Sequence, residues 1–181
     1  GGSNGIGLAI GKKLLDCGYT LEICDCLPPE EGVLDMEKVK YHHSDLLDFD
    51  EELYTNLAHD KDVEILMITA GIGRIADFQF HHIAEIEKIL TVDTVSTIKI
   101  LRVFYERILA KENFYAGVMG SISGWLSSPS ASVYAAAKAA VVRFIESVNI
   151  ELEAYESTNR ILDVSPASFK GSRFYGGKND L

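Results

Sequence analysis

Basic residues are in short supply here. The 181-residue chain holds 17 Lys and Arg against 27 Asp and Glu, for a formal net charge of −10 and a pI near 4.9. Nucleic acid and anionic membrane both require clustered Lys and Arg, so neither is an expected partner. Cysteine is scarce as well, with three residues, Cys17, Cys24 and Cys26. An odd number, two of them flanking Asp25, makes no disulfide framework. They read as reduced structural thiols, which points to the cytoplasm. Cys24-x-Cys26 lacks a second pair of ligands, so no metal site is expected. No apolar run reaches membrane-spanning length. No secretory leader pattern, repeat, linker or low-complexity tract is visible. The length and the 47% apolar composition fit one ordinary globular domain over residues 1–181.

Glycine is present where it matters. The chain opens Gly1-Gly2-Ser3-Asn4-Gly5-Ile6-Gly7, and Ile6, Ile10 and Leu14 then recur at helical spacing until Gly18. The segment 19–25, ending at Asp25, reads as a strand. Glycines at a helix N-terminus suit an anion, because free N–H groups and the positive dipole end collect there. A carboxylate closing the next strand suits a ribose diol. The chain starts at Gly1 rather than Met, and no strand precedes the turn.

Further along, strand and helix patterns alternate. Strands are expected at 39–43, 63–69, 114–120 and 160–164, the last stopped by Pro166. Helices are expected at 49–59, over a long region from 83 to 109, and at 132–155. Residues 26–38 and 169–181 read as loops. The long region has Ile86, Ile89, Leu90, Leu101, Phe104 and Ile108 on its inward face. The last helix carries Val133, Ala137, Ala140, Val141, Phe144, Ile145 and Val148 on one stripe. Such alternation predicts an α/β fold with a parallel sheet between helices, and the ligand beyond the carboxyl ends of the strands. Ser121, Asp25, Asp45 and residues 69–71 all fall on that rim.

Two stretches there carry chemistry: Gly120-Ser121-Ile122-Ser123-Gly124 and Val133-Tyr134-Ala135-Ala136-Ala137-Lys138. Tyr134 and Lys138, four apart, share one helix face. A phenol with a reference pKa of about 10 needs roughly three units of depression to exchange protons near neutrality. A neighbouring ammonium supplies depression of that sign. Ser121, ending a strand, is placed to donate a hydrogen bond to a substrate oxygen.

In these features the chain resembles the short-chain dehydrogenase/reductase family along its whole length. Gly1, Gly5 and Gly7 match the family's Thr-Gly-x-x-x-Gly-x-Gly turn, Thr69-Ala70-Gly71 its Asn-Ala-Gly, and Ser165-Pro166-Ala167 its Pro-Gly turn. Ser121, Tyr134 and Lys138 match its catalytic serine, tyrosine and lysine. The resemblance implies a Rossmann-like, doubly wound parallel sheet in three α/β/α layers. It implies an oxidoreductase that interconverts an alcohol and a carbonyl by hydride transfer. Tyr134 would be acid and base, Ser121 would orient the substrate, and Lys138 would hold the nicotinamide ribose and tune Tyr134. Gly1, Ser3, Asn4, Gly5, Ile6 and Gly7 would meet the cofactor's phosphates, Asp25 its ribose, Asp45 and Leu46 its adenine. Ala70, Gly71 and Pro166 would complete the cofactor site. In the family a central strand precedes the glycine turn, and a substrate loop and last strand follow Pro166. Both are expected to be missing from these 181 residues.

Three positions depart from the family. Thr69 stands where it has Asn, Ala167 where it has Gly, and Asp93 where it has an Asn that supports a water relay to the lysine. Asp93 would order that water as an acceptor only. These departures keep open an alternative, a nucleotide-binding scaffold without turnover. Asp25 would repel a 2′-phosphate, and Asn4 is not the basic residue that often accompanies NADP use, so NAD(H) is expected rather than NADP(H). A homodimer or homotetramer through helices 83–110 and 132–155 is expected by the same resemblance. Trp125 reads equally as substrate-side or packing. His42, His43, His59, His81 and His82 read as solvated or loop positions.

Overall fold

The computed structural model describes residues 1–167, and the loop expected over 169–181 lies outside them. The elements run α1 (Gly5–Asp16), β1 (Leu21–Asp25), β2 (Val39–His43), α2 (Glu51–His59), β3 (Ile65–Ile68), α3 (Ile83–Leu90), α4 (Ser96–Val103), α5 (Tyr105–Leu109), β4 (Tyr115–Met119), α6 (Ser132–Ala154) and β5 (Ile161–Val164). Every strand pairing is parallel: β1 with β2, then β3 with β4 and β4 with β5. The expected alternation is therefore present, and the strand bounds lie within the predicted segments.

Two features shape the region of the site. The parallel sheet is in two parts, β1-β2 and β3-β4-β5. The free edges of β1 and β3 border one cavity of about 1170 Å³, lined on those sides by Glu22, Ile23 and Cys24 and by the whole of β3. Gly1 bridges the carboxyl end of this gap. Its amino group donates to Cys24 O at 2.6 Å, and its carbonyl accepts from the Thr69 hydroxyl. The α1 stripe of Ile6, Ile10 and Leu14 also lines the cavity, and Gly11 is the one buried residue of that helix.

The second is a departure from the expectation: the region 83–109 is not one helix. A single π turn, Thr91–Val95, separates α3 from α4, and the chain breaks again at Phe104. Four of the five residues in that turn are β-branched, a composition that weakens α geometry. Leu90, expected inside, is 36% exposed as a result. Ala140 on α6 is likewise exposed, whereas Val141, Ile145 and Leu152 pack into the main core with Leu101, Phe104, Ile108 and Val118.

Polar residues fix the closing loops of this core. Buried Asn159 donates to the carbonyls of Ile108, Ala110 and Glu112 and accepts from the Phe114 amide. It thereby fixes how the chain leaves α5, enters β4 and returns to β5. Arg107 collects the carbonyls of Ala58, Asp60 and Val63 while stacking 5.0 Å from the Phe114 ring.

Candidate active site

All the strands point their carboxyl ends at one rim, and the predicted site residues other than Ser3 and Asp93 line the cavity there. The glycine turn comes first. Gly5 adopts a φ of 56°, in the left-handed region that favours glycine. A Cβ on Gly7 would run into the Gly1 carbonyl and the Thr69 hydroxyl, so the turn and the end of β3 close on each other only with glycine there. Asn4 starts α1 without a side-chain cap, and no acidic residue occupies the first turn. Asn4, Gly5, Ile6 and Gly7 line the cavity, and the N–H groups of a helix's first turn have no partner within the helix.

Asp25 ends β1 beside the turn, 9% exposed. Its carboxylate accepts from the Ser3 amide at 3.0 Å and from the Leu27 amide at 3.3 Å. Burial works to raise its pKa, but the Gly1 ammonium and these two amides outweigh it, and the net shift is downward. Asp25 is therefore an ionised acceptor at the cavity wall. Ser3 itself turns inward, with a buried hydroxyl that meets no partner among the described residues. Burial pushes the neighbouring Cys24 thiol up to about 11, which keeps it protonated and inert near neutrality. Asp45 is exposed and caps its own turn through the Leu47 amide, and Leu46 lines the cavity beside it.

The three chemical residues converge from two elements. Ser121 follows β4 and starts a short 3-10 turn, Ile122–Gly124, by accepting from the Ser123 amide. Tyr134 and Lys138 lie one turn apart in α6, 9% and 3% exposed. The Lys138 ammonium sits 5.7 Å from the Tyr134 ring centre and donates to Met119 O at 3.0 Å. Ser121, Tyr134 and Lys138 all line the cavity, with Ala70 and Gly71 on one side and Pro166 on the other. The Pro166 carbonyl accepts from the Ile122 amide at 3.1 Å, which ties the loop after β5 to the Ser121 turn. Trp125 stands at this edge, 56% exposed, donating to Ser165 Oγ.

Asp93 does not line the cavity. It lies behind Lys138 in the π turn, with Oδ1 3.2 Å from the Lys138 ammonium and Oδ2 accepting from the Ile72 amide at 3.2 Å. Burial raises its pKa to about 6 despite Lys138. Thr69, the other departure at the rim, uses its hydroxyl to hold the Gly1 carbonyl. Sequence reasoning missed one further group, around the loop before α3. The His81 side chain is 1% exposed, with Nδ1 3.0 Å from Glu85, which also pairs with Arg74 at 2.6 Å. The spacing of His81 and Glu85, one helical turn apart, was the available signal. No group of three or more metal-ligating side chains occurs among the described residues. No described helix is long and apolar enough to cross a membrane.

Comparison with known proteins agrees with this geometry. Residues 1–173 match the family described as short chain dehydrogenase. Dehydrogenase RED2 of Cochliobolus heterostrophus is 29% identical over 157 residues, covering 84% of this chain and 58% of that protein. Carbonyl reductase family member 4 of Xenopus tropicalis is 27% identical over 160 residues, covering 84% and 66%. The chain thus spans about three fifths of the length of these relatives. Among solved structures, a short-chain dehydrogenase from Sphingobium yanoikuyae in complex with NADPH superposes with a TM-score of 0.81 at 21% identity, covering 97% of this chain and 71% of that one. A 4-hydroxyisoleucine dehydrogenase complexed with NADH and succinate gives a TM-score of 0.72 at 22% identity, covering 92% and 77%.

Proposed function

We propose, for a chain that belongs to the short chain dehydrogenase family, an NAD(H)-dependent oxidoreductase that interconverts an alcohol and a carbonyl. The observation that carries this reading is the convergence of Ser121, Tyr134 and Lys138 on the cavity that also holds the glycine turn and Asp25. The residues present fit a nicotinamide dinucleotide. The uncapped first turn of α1, whose residues Asn4 to Gly7 line the cavity, offers N–H groups to a diphosphate. Asp25 offers an ionised acceptor to a ribose diol. Asp45 and Leu46 flank the place for an adenine, and Ala70, Gly71 and Pro166 the way to Tyr134.

The bound dinucleotide supplies hydride chemistry. The protein's own part is proton and orientation control. Tyr134 gives a proton to the substrate oxygen in reduction and takes it back in oxidation. Ser121 orients that oxygen by hydrogen bonding. Lys138 stabilises the phenolate left on Tyr134. The substrate is a small alcohol or carbonyl compound.

Cofactor preference follows from Asp25. Solved neighbours carry either form, NADPH in the Sphingobium yanoikuyae enzyme and NADH in 4-hydroxyisoleucine dehydrogenase. In this chain a 2′-phosphate would meet an ionised carboxylate with no basic side chain among Ser3, Asn4 and Cys26 to offset it. Fluorescence titration is expected to show NADH binding at least tenfold tighter than NADPH, about 1.4 kcal/mol or more. The Asp25→Ser variant is expected to narrow that gap. Tighter NADPH binding by the unmodified chain would refute the assignment of Asp25.

The same reading includes a homodimer or homotetramer through the helical regions 83–110 and 132–155. Ile83 and Ile150 in these regions are 73% and 69% exposed, and Val95 is 44% exposed. Size-exclusion chromatography with light scattering is expected to give two or four times the chain mass of 19.9 kDa. A monomer at all concentrations would remove this part of the reading.

A further inference from the structure

The carboxylate behind Lys138 is placed by a local change of helix type. In the π turn Thr91–Val95 one extra residue is accommodated between α3 and α4. Side chains hold the turn in place. Ser96 Oγ donates to Val92 O at 2.6 Å, and Thr97 Oγ1 donates to Asp93 O at 3.0 Å. Thr94 Oγ1 donates across to Ala137 O at 3.0 Å, on α6 immediately before Lys138. The turn is thus fastened to the helix that carries Tyr134 and Lys138. Asp93 ends 1% exposed, with Lys138 as the cation against it. Its Oδ1 lies off the line of an aligned hydrogen bond and has no other partner among the described residues.

We propose that Asp93 is a positioning residue, whose carboxylate anchors Lys138 and offsets part of the ammonium charge that Tyr134 would otherwise feel. The proposal rests on the reading of Tyr134 as acid and base. An ammonium alone stabilises the phenolate; an anion at 3.2 Å from that ammonium opposes the effect. The pair therefore keeps Tyr134 in its protonated form, the form that donates to a carbonyl oxygen, to higher pH. This differs from a water held by an amide at the same position, because a carboxylate adds a charge as well as an acceptor.

Among the described residues no other ion pair reaches Asp93 or Lys138. Lys88 on α3, which lines the cavity, and Arg102 on α4 are exposed. Lys99 on α4 is directed over the Phe49 ring at 5.1 Å. Arg143 on α6 pairs with Glu146 at 2.6 Å, and Glu85 on α3 is held by Arg74 and His81.

The test needs neither substrate nor cofactor. The full chain is prepared with 13Cζ-labelled tyrosine, and the Tyr134 signal is assigned by its loss in Tyr134→Phe. In Asp93→Asn, which keeps the size and one acceptor, Tyr134 is expected to ionise about one pH unit lower than in the unmodified chain. An unchanged midpoint would overturn the proposal, since a merely structural role for Asp93 would not move it. If Asp93→Asn does not fold, the unmodified chain suffices. With 13Cγ-labelled aspartate and 15Nζ-labelled lysine, the Lys138 signal is expected to shift as Asp93 ionises, and a Lys138 signal blind to that event overturns the proposal. NADH titration of the same samples keeps the two readings apart. Absence of NADH binding by the unmodified chain refutes the oxidoreductase reading, while the Tyr134 midpoint independently decides the role of Asp93.

Discussion

Tyr134→Phe is expected to lower kcat by about 10²- to 10⁴-fold on any alcohol or ketone that the unmodified protein turns over, the range for loss of a positioned general acid–base. Reduction of a carbonyl leaves an oxygen that needs a proton, and in the proposed function the donor is the phenol of Tyr134, which lines the cavity with Ser121 and Lys138. Phenylalanine removes that hydroxyl and little else. The ring is 9% exposed and lies 5.7 Å below the Lys138 ammonium, contacts that a phenyl ring can keep. NADH affinity should therefore change less than twofold. The residual rate should also lose the inflection that Tyr134 gives to the pH profile. Stopped-flow measurement of hydride transfer with the variant and the unmodified protein checks both points. A kcat within tenfold of the original would move the acid–base role elsewhere.

The second large effect concerns stability. Lys138→Met strands the Asp93 carboxylate, whose side chain is fully buried, without its cation. Breaking a buried ion pair from one side costs about 3–5 kcal/mol. The sign of the pH dependence follows from Asp93. Its pKa is raised to about 6 in the folded chain, against about 3.9 unfolded. Between those values the folded state binds the extra proton, so stability falls as pH rises through that window and stays lower above it. Removing Lys138 takes away the main influence that lowers this pKa, and the window extends upward. Urea unfolding should therefore show a larger deficit for Lys138→Met at pH 8 than at pH 5. The double variant Asp93→Leu/Lys138→Met should recover most of the deficit at pH 8, because replacing both partners leaves no buried charge. A deficit independent of pH, or no recovery in the double variant, would show that the pair is not what Lys138 stabilises.

These expectations draw on parts of the chain that were unequally legible. Strand–helix alternation, the glycine turn and the Tyr134–Lys138 face were readable because each is a local pattern with a fixed period. The residues of 83–109 also have a helical period, but periodicity does not register one inserted residue in a turn. The π turn depends on Ser96, Thr97 and Thr94 finding backbone acceptors, the last of them on α6. The same holds for Asp93, which was flagged as a departure for its residue type. That it reaches Lys138 directly is a property of two helices brought together. His81 looked like a loop residue, and its burial beside Glu85 arises from how the loop before α3 folds over. Thr69 is a departure by residue type alone, and only the fold shows its hydroxyl donating to the Gly1 carbonyl.

β1, which ends in Asp25, contributes Ile23 to a small cluster with Leu34 and Val39, apart from the core built around Leu101, Phe104 and Ile145. A dinucleotide held as proposed would touch both the strand that carries Asp25 and the helix that carries Tyr134 and Lys138, so its binding free energy would add to the stability of both.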